Sequence, residues 1–147
     1  MADHRREQIL DAVVTTLTGL TQTSDNVFRG RVHALPDSNI PALCVYQGED
    51  REIGQYAQAK IDRELDITVE ALVKTSTTQV DELLNLIAKE VCIALQADYT
   101  QGLSFVINTI EGDTGKPELS GEGEKPSAAM IMQWKFHYRR SRTDPST

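Results

Sequence analysis

The chain has 147 residues, 39% hydrophobic and 25% charged, with a formal net charge of −7. That length suits one continuous core rather than two, and the composition is globular rather than disordered. No apolar run approaches the ~20 residues of a membrane helix and no basic-then-apolar leader opens the chain, so a cytosolic protein is expected, and its acidic balance argues against direct contact with nucleic-acid phosphates.

Residues 4–20 carry Ile9, Leu10, Val13, Val14, Leu17 and Leu20 at the i, i+3, i+4 spacing of one helix face, with Asp3 as the expected N-cap. Gly19 and the polar stretch 21–26 end that helix. A short strand is predicted at 27–33, a turn at 35–39, and a mostly apolar strand at 42–46, buried on both faces. The clearest strand spans 60–73: Ile61, Leu65, Ile67, Val69, Ala71 and Val73 alternate with Asp62, Glu64, Asp66, Thr68 and Glu70, and Arg63 alone breaks the apolar side.

A second helix is predicted over 78–97, its stripe formed by Val80, Leu83, Leu84, Ile87, Val91 and Leu95 and its start capped by Ser76, Thr77 or Thr78. Strands follow at 105–111 and 128–139, the latter pointing Met130, Met132, Trp134, Phe136 and Tyr138 to one side. The tail 140–147 is expected to fray. Each element has a single apolar face to hide, so the expected fold is one α+β domain over 1–147: a mainly antiparallel mixed sheet with two amphipathic helices packed on one face.

Chemistry is sparse in this pattern. His4, His33 and His137 fall in separate elements, at no metal-ligand spacing to one another or to a cysteine. Cys44 and Cys92 sit within apolar patterns and read as buried thiols. No phosphate loop, dinucleotide fingerprint, nucleophile elbow or zinc-protease motif occurs. The glycine-rich stretch 121–125 lacks the Lys-Ser/Thr ending of a phosphate cradle, and its carboxylates repel phosphate. Glu111, Asp113, Glu118, Glu122 and Glu124 do not match a calcium loop and are partly neutralised by Lys116 and Lys125. No enzymatic activity, catalytic residue, metal or cofactor is therefore expected.

Two segments are long for so small a domain, 47–59 and 112–127, and long loops between well-patterned strands are either functional or simply solvated. Arg51, Ile53 and Tyr56 in the first and Glu118, Glu122, Glu124 and Lys125 in the second, with Arg139 at the end of the last strand, are the candidate interface residues. The solvated stripe Asp62, Glu64, Asp66 and Glu70 is the candidate acidic surface.

The succession of the helix at 4–13, Val27-Phe28-Arg29-Gly30-Arg31-Val32, Leu35-Pro36, Ile40-Pro41-Ala42-Leu43-Cys44-Val45-Tyr46 and the run from Glu118 to Pro126 resembles the tail-terminator proteins of long-tailed, siphovirus-type bacteriophages, the minor tail protein U-like group. The resemblance covers residues 4–139. It implies an α/β fold, a homohexameric ring that caps the tail tube and ends its polymerisation, and a second face offered to the head–tail stopper or neck protein. It implies a place at the junction of tail and neck in the virion, reached from the host cytoplasm during assembly, with no cofactor and no specific nucleic-acid binding although DNA passes through the ring. On that reading the acidic stripe, or the acidic loop from Glu118 to Glu124, faces the channel. Another head–tail connector, a tail-completion or stopper protein, is the alternative of the same class, and a small-ligand or peptide-binding module is the alternative of a different one.

Overall fold

The computed structural model describes residues 2–30, 37–57, 59–74, 79–120 and 127–147. Among the described residues two α-helices, α1 (Arg5–Leu17) and α2 (Val80–Gln96), accompany six strands: β1 (Val27–Arg29), β2 (Ala42–Ala57), β3 (Lys60–Lys74), β4 (Val106–Thr114), β5 (Glu118–Ser120) and β6 (Ser127–Ser141). The strands form one sheet in the order β1-β2-β3-β6-β4, and β5 continues the β4 edge along β6. Only β1 runs parallel to its neighbour; the β2–β3, β3–β6, β4–β6 and β5–β6 pairs are antiparallel. This is the expected α+β fold.

The apolar alternation decides which face is covered. Leu65, Ile67, Val69 and Ala71 of β3 are fully buried, and in register with them Phe136, Trp134, Met132 and Met130 of β6 point to the same side. Ile9, Leu10, Val13 and Leu17 of α1 and Leu84, Ile87, Val91 and Leu95 of α2 close over them in a single cluster. The stripes at i, i+3 and i+4 thus meet the period-two faces of the strands, and burial of these side chains is the main driving force for the fold. The opposite face carries Asp62, Glu64, Asp66 and Thr68 of β3 beside Arg139, His137, Lys135 and Gln133 of β6.

Several boundaries differ from expectation. The segment 47–59, read as a loop, is strand as far as Ala57, paired with β3 through register shifts between Gln47 and Asp50, Glu52 and Gly54, and Gln55 and Ala57. Each shift turns the inside-outside alternation over, so no periodicity survives for a sequence reader to see. The second expected loop is likewise structured up to Ser120, since β4 runs three residues further than predicted and β5 pairs with β6. The α1 cap is His4, whose Nδ1 accepts the Arg6 N–H at 3.1 Å, rather than Asp3. Val80 begins α2 after Gln79, which makes no side-chain capping hydrogen bond among the described residues. The proposed caps Ser76 to Thr78 lie outside the described residues, as do His33 and the first two residues of the turn at 35–39, whose remainder, Asp37–Asn39, is a single turn of 3-10 helix. At the C-terminal end Arg140 and Ser141 complete β6, and the Pro145 carbonyl accepts the Arg5 N–H at 2.9 Å.

Two glycines permit the bulges. A Cβ on Gly48 would stand 2.9 Å from the Asp66 carbonyl oxygen, and one on Gly112 the same distance from that of Gln133. Backbone cannot retreat as a flexible side chain does, so Gly48→Ala and Gly112→Ala are each expected to cost roughly 1–3 kcal/mol. Gly54→Ala, with nothing within 4 Å of the new methyl, is the control that urea unfolding should leave close to wild type; equal losses at all three positions would refute the close-approach explanation.

Candidate functional site: the outer face of the sheet

Three long strands lie side by side, and the outer face of β2, β3 and β6 carries a laced array of charges. Arg51 is in register with Glu64 and reaches two carboxylates, its Nε donating to Glu64 Oε1 at 3.0 Å and its Nη2 to Asp66 Oδ1 at 2.8 Å. Glu49 approaches the same guanidinium at 3.4 Å. Glu64 also meets His137 Nε2 at 2.7 Å and lies 3.8 Å from Lys135 Nζ. Arg139 Nε donates to Asp62 Oδ1 at 2.7 Å. The stripe predicted as bare carboxylate is therefore a checkerboard in which Asp62, Glu64 and Asp66 each face a cation across a strand boundary.

This pairing alters the electrostatics of the face. Burial pushes the Glu64 carboxyl up, but the hydrogen bonds from His137 and Arg51 and the nearby charge of Lys135 outweigh it and hold the group below its ordinary value. A carboxyl depressed on folding stabilises the native state fully above its unfolded value of 4.5 and loses that contribution as pH falls through the lower folded value. Acidification from about pH 5 to about pH 3 should therefore lower the melting temperature of the wild type more steeply than that of Glu64→Gln. Parallel slopes in thermal melts across that range would show that Glu64 is not a source of acid lability.

The candidate interface residues do not form one patch. Arg51 and Arg139 are bound into the outer-face array, whereas Ile53 is 46% exposed on the same long hairpin. Tyr56 belongs to β2, but its side chain lies outside the described residues, as do Glu122, Glu124 and Lys125. Glu118 sits at the start of β5, far along β6 from Arg139. Glu70 and Glu118 share an open groove of 660 Å³ on this face, floored by Ala129 and Ile131 and walled by Pro117 and Leu119.

A second charged group, absent from the sequence-based candidates, lies on the helix side where β2, β3 and β6 end. The Asp50 carboxylate, whose side chain is 4% exposed, accepts from Arg63 Nε at 2.7 Å, from the Tyr138 hydroxyl at 2.6 Å and from Arg6 Nη1 at 3.2 Å. Burial, reinforced by the hydrogen bond and charge of Asp50, pushes the Tyr138 phenol far above its ordinary value. The one signal in the sequence was Arg63, the charged residue on an otherwise apolar strand face.

Nothing in these arrays matches a known catalytic pattern. Among the described residues no group of three or more His, Cys, Asp or Glu side chains is placed to hold a metal ion. The Cys92 thiol is pushed up by burial and by Glu111 beside it, the opposite of an activated nucleophile. No helix among the described residues is long and apolar enough to cross a membrane. No protein-family model and no curated protein matches the chain. Among solved structures it is similar to a chain of the "Virion of native gene transfer agent (GTA) particle", at 10% identity and a TM-score of 0.41, with 90% of each chain covered. At that identity and score the likeness fixes neither family nor role.

Proposed function

We propose that this chain is a structural protein of a phage-type particle, a tail terminator whose subunits form a ring that caps the tail tube and joins it to the neck. The observation that carries the reading is the ordered succession of sequence segments between residues 4 and 139 that resembles the terminator group, on a chain whose fold is the α+β sheet with one helix-covered face that the resemblance implies. The physical arrangement supports it. One face of the sheet is sealed by α1 and α2, and the other presents a broad, rigid, polar surface suited to contacts with neighbouring subunits.

The channel wall is the part of the proposal that the geometry reshapes. With Asp62, Glu64 and Asp66 each facing a cation, the stripe presents far less negative field than four bare carboxylates. A near-neutral, internally saturated face serves equally well beside sliding DNA, because its arginines are already occupied by carboxylates and offer little to a phosphate. Catalysis has no part in this function, and no cofactor is required.

The groove beneath β5 favours a second reading, a peptide-binding module, since it combines an apolar floor of Ala129 and Ile131 with the charged rim of Glu70, Lys116 and Glu118. Native mass separates the two. The terminator reading expects rings of about six copies, formed in solution or on added tail tubes, as heterologous contacts close by rotation. A chain that stays monomeric even with tubes present, and binds a peptide in the groove, would replace it.

A further inference from the structure

The buried cluster around Asp50 has more cations than its one carboxylate balances. Beside Arg6 and Arg63, which bind Asp50 directly, stand Arg5 and Arg140. Arg5 stacks 4.4 Å from the centre of the Phe105 ring and donates from Nη1 to the Arg139 carbonyl at 2.6 Å. Arg140 donates from Nη1 to the Ser141 carbonyl at 2.9 Å, and its charge is felt at both His4 and Tyr138. The Nε atoms of Arg5 and Arg140 are buried and have no hydrogen-bond partner among the described residues. Among the described residues Asp50 is the only carboxylate within ion-pair distance of these four guanidinium groups. In a chain of net charge −7, four guanidinium groups thus gather at one end of the sheet with one side-chain carboxylate paired to them among the described residues.

We propose that this end takes a carboxylate from a second copy of the chain, and that Glu118, at the opposite end of β6, supplies it. Glu118 is exposed, and its side chain has no hydrogen-bonded or ionic partner among the described residues. Glu118 is in register with Ala129 and the arginine cluster lies beside Arg140, so at about 3.3 Å per residue the two ends of β6 are roughly 36 Å apart. They cannot meet within one molecule. Between molecules they can, because the Arg6 side chain is 37% exposed and opens the cluster to the surface. A partly desolvated guanidinium cluster gains more from an arriving carboxylate than an exposed pair does.

A contact that joins unlike ends is heterologous, which closes rings or extends filaments. The inference deepens the ring reading and rests on self-association, not on the ending of tube growth. The carboxylate of a second copy is favoured over a nucleic-acid phosphate because the chain as a whole carries a net charge of −7 and so repels a polyanion, whereas Glu118 is a single exposed carboxylate of the same chain.

The test is sedimentation of the full chain at low and high salt, with Arg6→Glu, Glu118→Arg and the double variant beside the wild type. Each single charge reversal should weaken self-association by about tenfold or more, and the double variant should regain most of the loss. Glu118→Arg guards against misfolding, since its site is exposed and far from the core, and thermal melts check Arg6→Glu directly. The proposal is overturned by single variants that assemble like the wild type, by a double variant no better than its parents, or by a wild type that is monomeric at every concentration and salt. Arg6-dependent binding of a short DNA duplex with unchanged assembly would assign the cluster to phosphate instead. Tube growth, assayed with the same proteins, keeps the two claims apart: wild-type termination by variants with unaltered assembly sinks this contact alone, and continued growth beside an intact charge-swap rescue sinks the terminator role alone.

Discussion

Asp50→Ala is expected to cost about 3–5 kcal/mol of folding stability, a fall of roughly 10 °C in melting temperature for a chain of this size. The loss comes mainly from Arg63. Its side chain is 19% exposed and its Nε is held by Asp50 at 2.7 Å, so removing the carboxylate strands a guanidinium in a desolvated site and leaves the Tyr138 hydroxyl without its 2.6 Å acceptor. Arg6 contributes less, since at 37% exposure water can replace its lost partner. Asp50→Asn keeps an acceptor without the charge and should fall between. The combined change Asp50→Leu with Arg63→Met should recover much of the loss, because a charge pair exchanged for apolar groups of similar volume is nearly neutral. Urea unfolding reads all three variants. A loss below about 1 kcal/mol for Asp50→Ala would mean that Arg63 is adequately solvated without its partner.

Trp134→Ala should be comparably severe, at about 3–5 kcal/mol. Trp134 is 1% exposed on the helix side of β6, in register with Ile67 of β3 and Glu111 of β4, and its truncation opens a cavity at the centre of the sheet. Trp134→Phe should behave quite differently. The indole Nε1–H is buried with no hydrogen-bond partner among the described residues, so its native burial already carries a penalty of about 1–3 kcal/mol that phenylalanine removes. That relief offsets most of the smaller cavity, and Trp134→Phe is expected within about 1 kcal/mol of wild type. Equal losses for the two variants would show that the indole N–H is satisfied in solution.

The elements legible in the sequence were those with one apolar face and an unbroken period. β3 and β6 alternate over most of their length, and apart from Arg63 and Arg140 their inward residues are the buried ones. The stripe of α2 was equally plain, with Leu84, Ile87, Val91 and Leu95 buried as the spacing requires. β2 beyond Tyr46 was not legible, because its bulges invert the alternation and because its inward residue at position 50 is a carboxylate. The explanation for that carboxylate lies in Arg63, thirteen residues on, and in Tyr138, eighty-eight residues on. Only the folded register joins them.

The candidate site shows the same division. Period two placed Asp62, Glu64, Asp66 and Glu70 on the face away from the helices, and Lys135, His137 and Arg139 on the polar side of β6. Which carboxylate meets which cation depends on the β3–β6 register, in which Asp62 faces Arg139, Glu64 faces His137 and Asp66 faces Lys135. A one-residue slip would bury every one of them, so the hydrophobic face fixes the charge pairing although no local sequence feature declares it. Arg51, chosen as a loop residue free to dock on a partner, is instead a strand residue whose guanidinium already serves Glu64 and Asp66.

The central claim is that the chain stops tail-tube growth, and the most direct measurement is tube length by electron microscopy when purified chain is added to polymerising tube protein from its own particle. The terminator account predicts tubes of limited length, each carrying a ring of this protein at one end and unable to extend when fresh tube protein is supplied. Tubes that grow equally long with and without the chain, and bear no cap, would contradict it.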